Sequence, residues 1–131
     1  MKGFVDNIES LTERSDNFRK VLYTGKNLQL VIMTLKPGED IGEEIHAEHD
    51  QFFRIEEGDG KVIIDGVENN IDDDTVVIVP AGAKHNVINT GQEPLRLYTL
   101  YSPPEHRDGV VHATKVEAEN DDEHFDGTTS E

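Results

Sequence analysis

The chain of 131 residues has no cysteine. Structural disulfides and thiolate metal sites are therefore excluded, and a reducing cytoplasm is the expected location. Basic residues are scarce, with 12 Lys and Arg against 28 Asp and Glu, and the formal net charge is −16. Nucleic acids and anionic membranes both require basic patches, so neither is expected as a partner. No apolar run approaches the roughly 20 residues that cross a bilayer. The first residues, Met1-Lys2-Gly3-Phe4-Val5-Asp6, carry no apolar export core. A long helical period is also missing, which leaves short strands as the main structural signal.

Those strands recur at close intervals. β-type runs cover 18–23, 28–35, 44–46, 51–56, 61–65, 75–79, 84–89 and 95–101. Turn chemistry separates most of them: Gly25 to Asn27, Pro37-Gly38, Gly58-Asp59-Gly60, Asp65-Gly66, Asn69-Asn70, Asp72 to Asp74 and Thr90-Gly91. Asp65-Gly66, set between Val62-Ile63-Ile64 and Val67, reads as a tight hairpin. The pattern predicts an all-β sandwich or small barrel. The length suits a single domain over 1–131, with a barrel core at about 18–104 and an acidic C-terminal extension over 105–131. Pro103-Pro104 should end the last strand. Residues 114–122 are expected to form a short helical turn, and Asp121-Asp122-Glu123 to be solvated.

The chemistry concentrates in two stretches. Pro80-Ala81-Gly82 is a turn followed by His85 and, four residues on, Asn89. Upstream, Pro37-Gly38 opens a polar stretch holding Glu44, His46 and Gln51, closed by Gly58. Together they resemble the two signature motifs of the cupin superfamily, and the resemblance covers roughly 28–101. It implies a double-stranded β-helix, a jelly-roll barrel with one metal ion inside. In the second motif, G-x5-P-x-G-x2-H-x3-N, Pro80, Gly82, His85 and Asn89 are in place, with Asp74 where the leading glycine would stand. Asp tolerates the left-handed region better than most residues. In the first motif, G-x5-H-x-H-x3,4-E-x6-G, the two histidine positions hold Glu44 and His46, and the glutamate position holds Gln51.

By this alignment the resemblance implies the metal ligands Glu44, His46, Gln51 and His85. One carboxylate is kept, moved from one position to another, so the net ligand charge of about minus one is preserved. Residues 44 and 46 share a face by strand alternation. His49 is the rival of Gln51. On an unbroken strand it would fall on the other face, whereas a turn at 47–50 would reset the phase and bring Gln51 inward. Each residue also has a plainer reading: His85 as a cap after its turn, Glu44 as part of a solvated acidic loop, Gln51 as a partner for backbone groups.

With Gln51 inward, Phe53 and Ile55 follow it, while Val87 and Asn89 share the face of His85. The wall so implied is mainly apolar. No cluster of Arg or Lys is placed to bind phosphate; Tyr98 or Tyr101 is available as a polar handle. Two imidazoles beside oxygen ligands favour Mn(II) or Fe(II) in use, with Ni(II), Zn(II) or Cu(II) competing on affinity. The resemblance implies a metal-dependent enzyme of dioxygenase, isomerase or lyase type acting on a small organic molecule. A non-catalytic module that binds a small sugar or organic acid is the alternative. A homodimer is expected, because 28–35 offers apolar residues on both faces.

Overall fold

The computed structural model describes all 131 residues. In chain order the elements are α1 (Ile8–Arg14), β1 (Arg19–Thr24), β2 (Gln29–Leu35), β3 (Glu44–Ile45), β4 (Asp50–Glu57), β5 (Gly60–Ile64), β6 (Val67–Ile71), β7 (Val76–Val79), β8 (Lys84–Asn89), β9 (Leu95–Ser102), β10 (Val111–His112) and α2 (Lys115–Glu119). They form a six-stranded sheet ordered β10-β1-β2-β9-β4-β7 and a four-stranded sheet ordered β3-β8-β5-β6. All pairings are antiparallel. This is the double-stranded β-helix that the motifs imply.

Alternation along the strands builds the interior. On β4, Gln51, Phe53 and Ile55 are buried, while Phe52 and Arg54 turn outward. On β8, His85, Val87 and Asn89 are buried. Phe53, Ile55, Val87, Leu95 and Leu97 belong to one core cluster that joins the two sheets. Burying a side chain of this size contributes roughly 1.5–3 kcal/mol.

Several details depart from the expectations. Asn69-Asn70 is not a turn: both residues lie in β6, paired with Val62 and Lys61 across the hairpin. β6 was hidden because only Val67 and Ile71 are apolar in it. A helix precedes the barrel: α1 is two turns long, its N-terminus capped by Asn7 accepting from the Ser10 amide at 2.8 Å. Packed on β2, α1 leaves Ile32, on the second face of that strand, only 2% exposed. Much of the face on which the homodimer expectation rested is thus covered within the chain. Leu28, at the start of the 28–35 stretch, is exposed, and other exposed apolar residues include Val76 and Ile78 on the edge strand β7.

β9 ends at Ser102, against the proline pair as expected, but the six-stranded sheet gains β10 beside β1. The short helix expected over 114–122 is α2, opened by a capping box of Thr114 and Glu117. The acidic extension is tied down at particular residues, although Asp121 and Asp122 stay exposed as expected. Asp121 meets His112 at 2.9 Å, Glu123 meets His106 at 2.5 Å and the Arg107 amide at 2.7 Å, and Glu131 accepts from Tyr23 at 2.6 Å. Burial pushes the Glu123 carboxyl up, but the bonds from His106 and Arg107 outweigh it and leave it below its ordinary value of 4.5. Burial pulls His106 below its ordinary 6.5 despite Glu123.

Both shifts have the same sign for stability. Each group has a lower pKa folded than unfolded, so its contribution is present above the unfolded value and lost as pH falls through the folded one. Melting temperature should therefore drop on acidification from about pH 7 to 4, and less steeply in His106→Gln. Equal slopes for the two proteins, followed by circular dichroism, would remove this role from the pair.

Candidate metal centre

Three side chains with ligating atoms meet between the sheets: Glu44, His46 and His85 each offer one atom, all within 4.8 Å of one another. Local structure explains the meeting. Glu44 and His85 are direct partners across the β3–β8 ladder. Glu44 and His46 point inward around Ile45, which is 60% exposed. After His46 the chain turns at Ala47-Glu48, which resets the alternation so that Gln51 enters the core on β4. The Pro80 turn is tied to this segment by the Gly82 amide donating to the His46 carbonyl at 2.9 Å.

Gln51 completes the group. Its Oε1 lies 3.1 Å from His85 Nε2, and its Nε2 donates to Thr99 Oγ1 at 3.0 Å. His49 is held at the rim, with Nε2 3.0 Å from Glu105 and Nδ1 2.7 Å from the Pro103 carbonyl. Of the two rivals, then, the structure brings Gln51 to the cluster and gives His49 other partners. Asn89, the last residue of the second motif, is a tie and no ligand. Its amide donates to the carbonyls of Leu35 and Glu93 and accepts from the Gly91 amide. Asp74 has φ 69°, the left-handed backbone that the motif glycine would serve.

The donor set suits a cation, and the protons show why. The Ala83 carbonyl, an acceptor only, sits 3.1 Å from His85 Nδ1 and so fixes the ring proton there. His85 Nε2 then presents a lone pair toward Gln51 Oε1, another acceptor. Burial keeps the His85 ring neutral by pulling its pKa below the usual value. Two lone pairs 3.1 Å apart repel unless a positive centre lies between them. His46 Nε2 is likewise buried without a hydrogen bond; Glu44 Oε2 lies 2.7 Å away, but out of line for one. Ligand atoms about 2.1 Å from one ion and at right angles to each other are about 3 Å apart.

Burial pushes the Glu44 carboxyl up, but contact with His46 and the nearby Arg19 and His85 bring it below its ordinary value, so it is a carboxylate. For His46, burial acts downward and is outweighed by Glu44 and Glu105, which raise it.

The surrounding wall is less apolar than the motifs suggest. The Phe53 ring faces His85 edge-on at 6.4 Å between centroids. Tyr101 rather than Tyr98 faces the site: its ring stands edge-on to His46 at 5.7 Å, and its hydroxyl is 3.3 Å from His106 Nε2. Burial holds that hydroxyl protonated, well above the usual tyrosine range. Arg19, on β1, is also inside. Sequence reasoning missed it: only its strand phase with Val21 hinted at burial, and its pairing with the buried Met33 is set by the fold. Glu105, by contrast, lies beyond the proline pair, where no periodicity exists to place it.

Comparison with known proteins follows from this geometry. The cupin domain pattern matches residues 31–101. The chain is 49% identical over 123 residues to the uncharacterized protein YrkC of Bacillus subtilis, covering 89% of this chain and 66% of that one. It is 36% identical over 113 residues to the uncharacterized protein L612 of Acanthamoeba polyphaga mimivirus, covering 82% and 70%. It thus spans about two thirds of the length of these curated relatives. Among solved structures, BH2720 from Bacillus halodurans superposes with a TM-score of 0.90 at 45% identity, covering 92% of this chain and 96% of that one.

Proposed function

The chain belongs to the cupin domain family, and from that premise we propose that it is an enzyme using one divalent metal ion, held by Glu44, His46, Gln51 and His85, on a small organic molecule. The observation that carries this reading is the convergence of Glu44, His46 and His85, whose ligating atoms all lie within 4.8 Å of one another, with Gln51 Oε1 3.1 Å from His85 Nε2. Two imidazoles with a carboxylate and an amide oxygen favour Mn(II) or Fe(II). Such an ion, when bound, supplies Lewis acidity or oxygen activation.

The chain's own residues supply the rest. Thr99 and the Ala83 carbonyl fix the orientations of Gln51 and His85, so that little rearrangement accompanies binding. Tyr101, kept protonated by burial, stands edge-on to His46. Its O–H is oriented by His106 Nε2, whose Nδ1 faces Glu123. Phe53, Val87 and the rest of the core exclude water from the inner side.

Elemental analysis of protein purified without an affinity tag tests the premise. Close to one equivalent of metal is expected, or uptake of one equivalent of Mn(II) or Fe(II) by stripped protein. Wild-type protein that binds neither these nor Ni(II) or Zn(II) would sink the metal reading and leave a small-molecule binding module.

A further inference from the structure

We infer that Arg19 is the anion-binding residue of this cavity, and that the ligand it receives is a small carboxylate. The inference rests on the reading of this interior as a binding site, but not on the metal. Arg19 is only 8% exposed and projects from β1 beside the ligand cluster, close enough for its charge to act on Glu44, His46 and Tyr101. It makes no ion pair. Its one hydrogen bond is a long contact of 3.4 Å from Nη1 to His112 Nδ1, and its Nε is buried with no partner. A buried guanidinium without a counter-ion is costly, and such a group persists where something else neutralises it.

The surroundings hold it in place without satisfying it. His112 Nε2 faces the Asp121 carboxylate at 2.9 Å, an acceptor that places a ring proton there, and Nδ1 is the side turned to Arg19. Phe18 lies under the guanidinium carbon at 5.4 Å from its ring centroid. Arg19 also lines a pocket of about 320 Å³ shared with Asp40, Glu44, Lys115 and Glu119. Lys115 is committed to Asp40 and lies 3.8 Å from Glu119, so Arg19 is the cation left uncommitted there. One guanidinium matches one carboxylate in a two-bond fork. A phosphate dianion would bring twice the charge to a single cation among three acidic side chains. The pocket volume also limits the ligand to a small molecule.

Titration calorimetry with propionate, and with its neutral amide propionamide, tests this on metal-stripped and Mn(II)-loaded protein, using wild type, Arg19→Met and Arg19→Lys. Propionate affinity should fall roughly 10- to 100-fold in Arg19→Met and less in Arg19→Lys, in both metal states, with propionamide indifferent to the substitution. Arg19→Met should melt no lower than wild type, because an unpaired buried charge is removed. Propionate affinity independent of residue 19, or no propionate binding in either state, overturns the assignment. If Mn(II) does not bind but propionate still depends on Arg19, the metal reading fails and this one stands. If Arg19→Met does not fold, Arg19→Lys decides: unchanged propionate affinity overturns the proposal and a several-fold loss sustains it.

Discussion

Glu44→Ala, His46→Ala and His85→Ala are each expected to lose divalent-metal binding by more than about 100-fold, since losing even an outer partner of a ligand costs roughly 10–100-fold. His49→Ala should stay within a few-fold of wild type. The contrast depends on the turn at Ala47-Glu48, which sends His49 to Glu105 and the Pro103 carbonyl while Gln51 goes inward to His85. Gln51→Ala should fall between the two, because an amide oxygen carries no formal charge but sits at van der Waals distance from His85 Nε2. Gln51→Glu would add a second carboxylate and should raise affinity for Mn(II), a hard ion. Metal content measured by inductively coupled plasma analysis separates these cases. Retention of full metal in His85→Ala would place the ion elsewhere and remove the basis for the enzyme reading.

The part of this site that was legible in the sequence is the part where chain geometry is local. Glu44 and His46 share a face because strand alternation requires it, and His85 and Asn89 follow from a turn whose residues name its backbone. Those rules operate over a few residues, so a motif can encode them. They also set the strands of the barrel, whose inward positions Phe53, Ile55 and Val87 are all fully buried.

What escaped was set by distant parts of the chain. Arg19 reads as an ordinary surface cation until β10 arrives to pair with it, 93 residues away at His112. Glu123 reads as one acid in a solvated run until His106 and the Arg107 amide bind it. α1 is only seven residues long, too short for a period to stand out, and it forms because Ile32 and its neighbours on β2 offer a face to cover. β6 is polar on three of its five positions, and it is a strand because Asp65-Gly66 folds it back on β5. The acidic composition, taken alone, pointed to a free tail. Pairing with histidines and backbone amides docked it.

Gly58→Ala should be the most damaging single methyl in the barrel, costing about 3 kcal/mol or more, which lowers the melting temperature by on the order of 10 °C. Two separate penalties meet there. Gly58 has φ 105°, a conformation that costs any other residue about 1–3 kcal/mol. An added Cβ would also stand 2.7 Å from the Pro94 carbonyl oxygen and 3.0 Å from the Leu95 Cα. Both are backbone of the segment entering β9 and have little freedom to move. Two other glycines divide the effect. Gly66 has φ 81° in the hairpin turn but nothing within 4 Å of an added Cβ, so Gly66→Ala carries only the conformational cost. Gly60 has an ordinary φ but would bring its Cβ to 2.5 Å from the Ile88 carbonyl oxygen, so Gly60→Ala carries only the collision. If the losses at 60 and 66 together match the loss at 58, measured by denaturant unfolding, the glycine closing the first motif is there for both reasons. If Gly58→Ala costs no more than Gly66→Ala, the approach of β9 to this turn yields to the methyl, and the motif glycine serves its backbone angle alone.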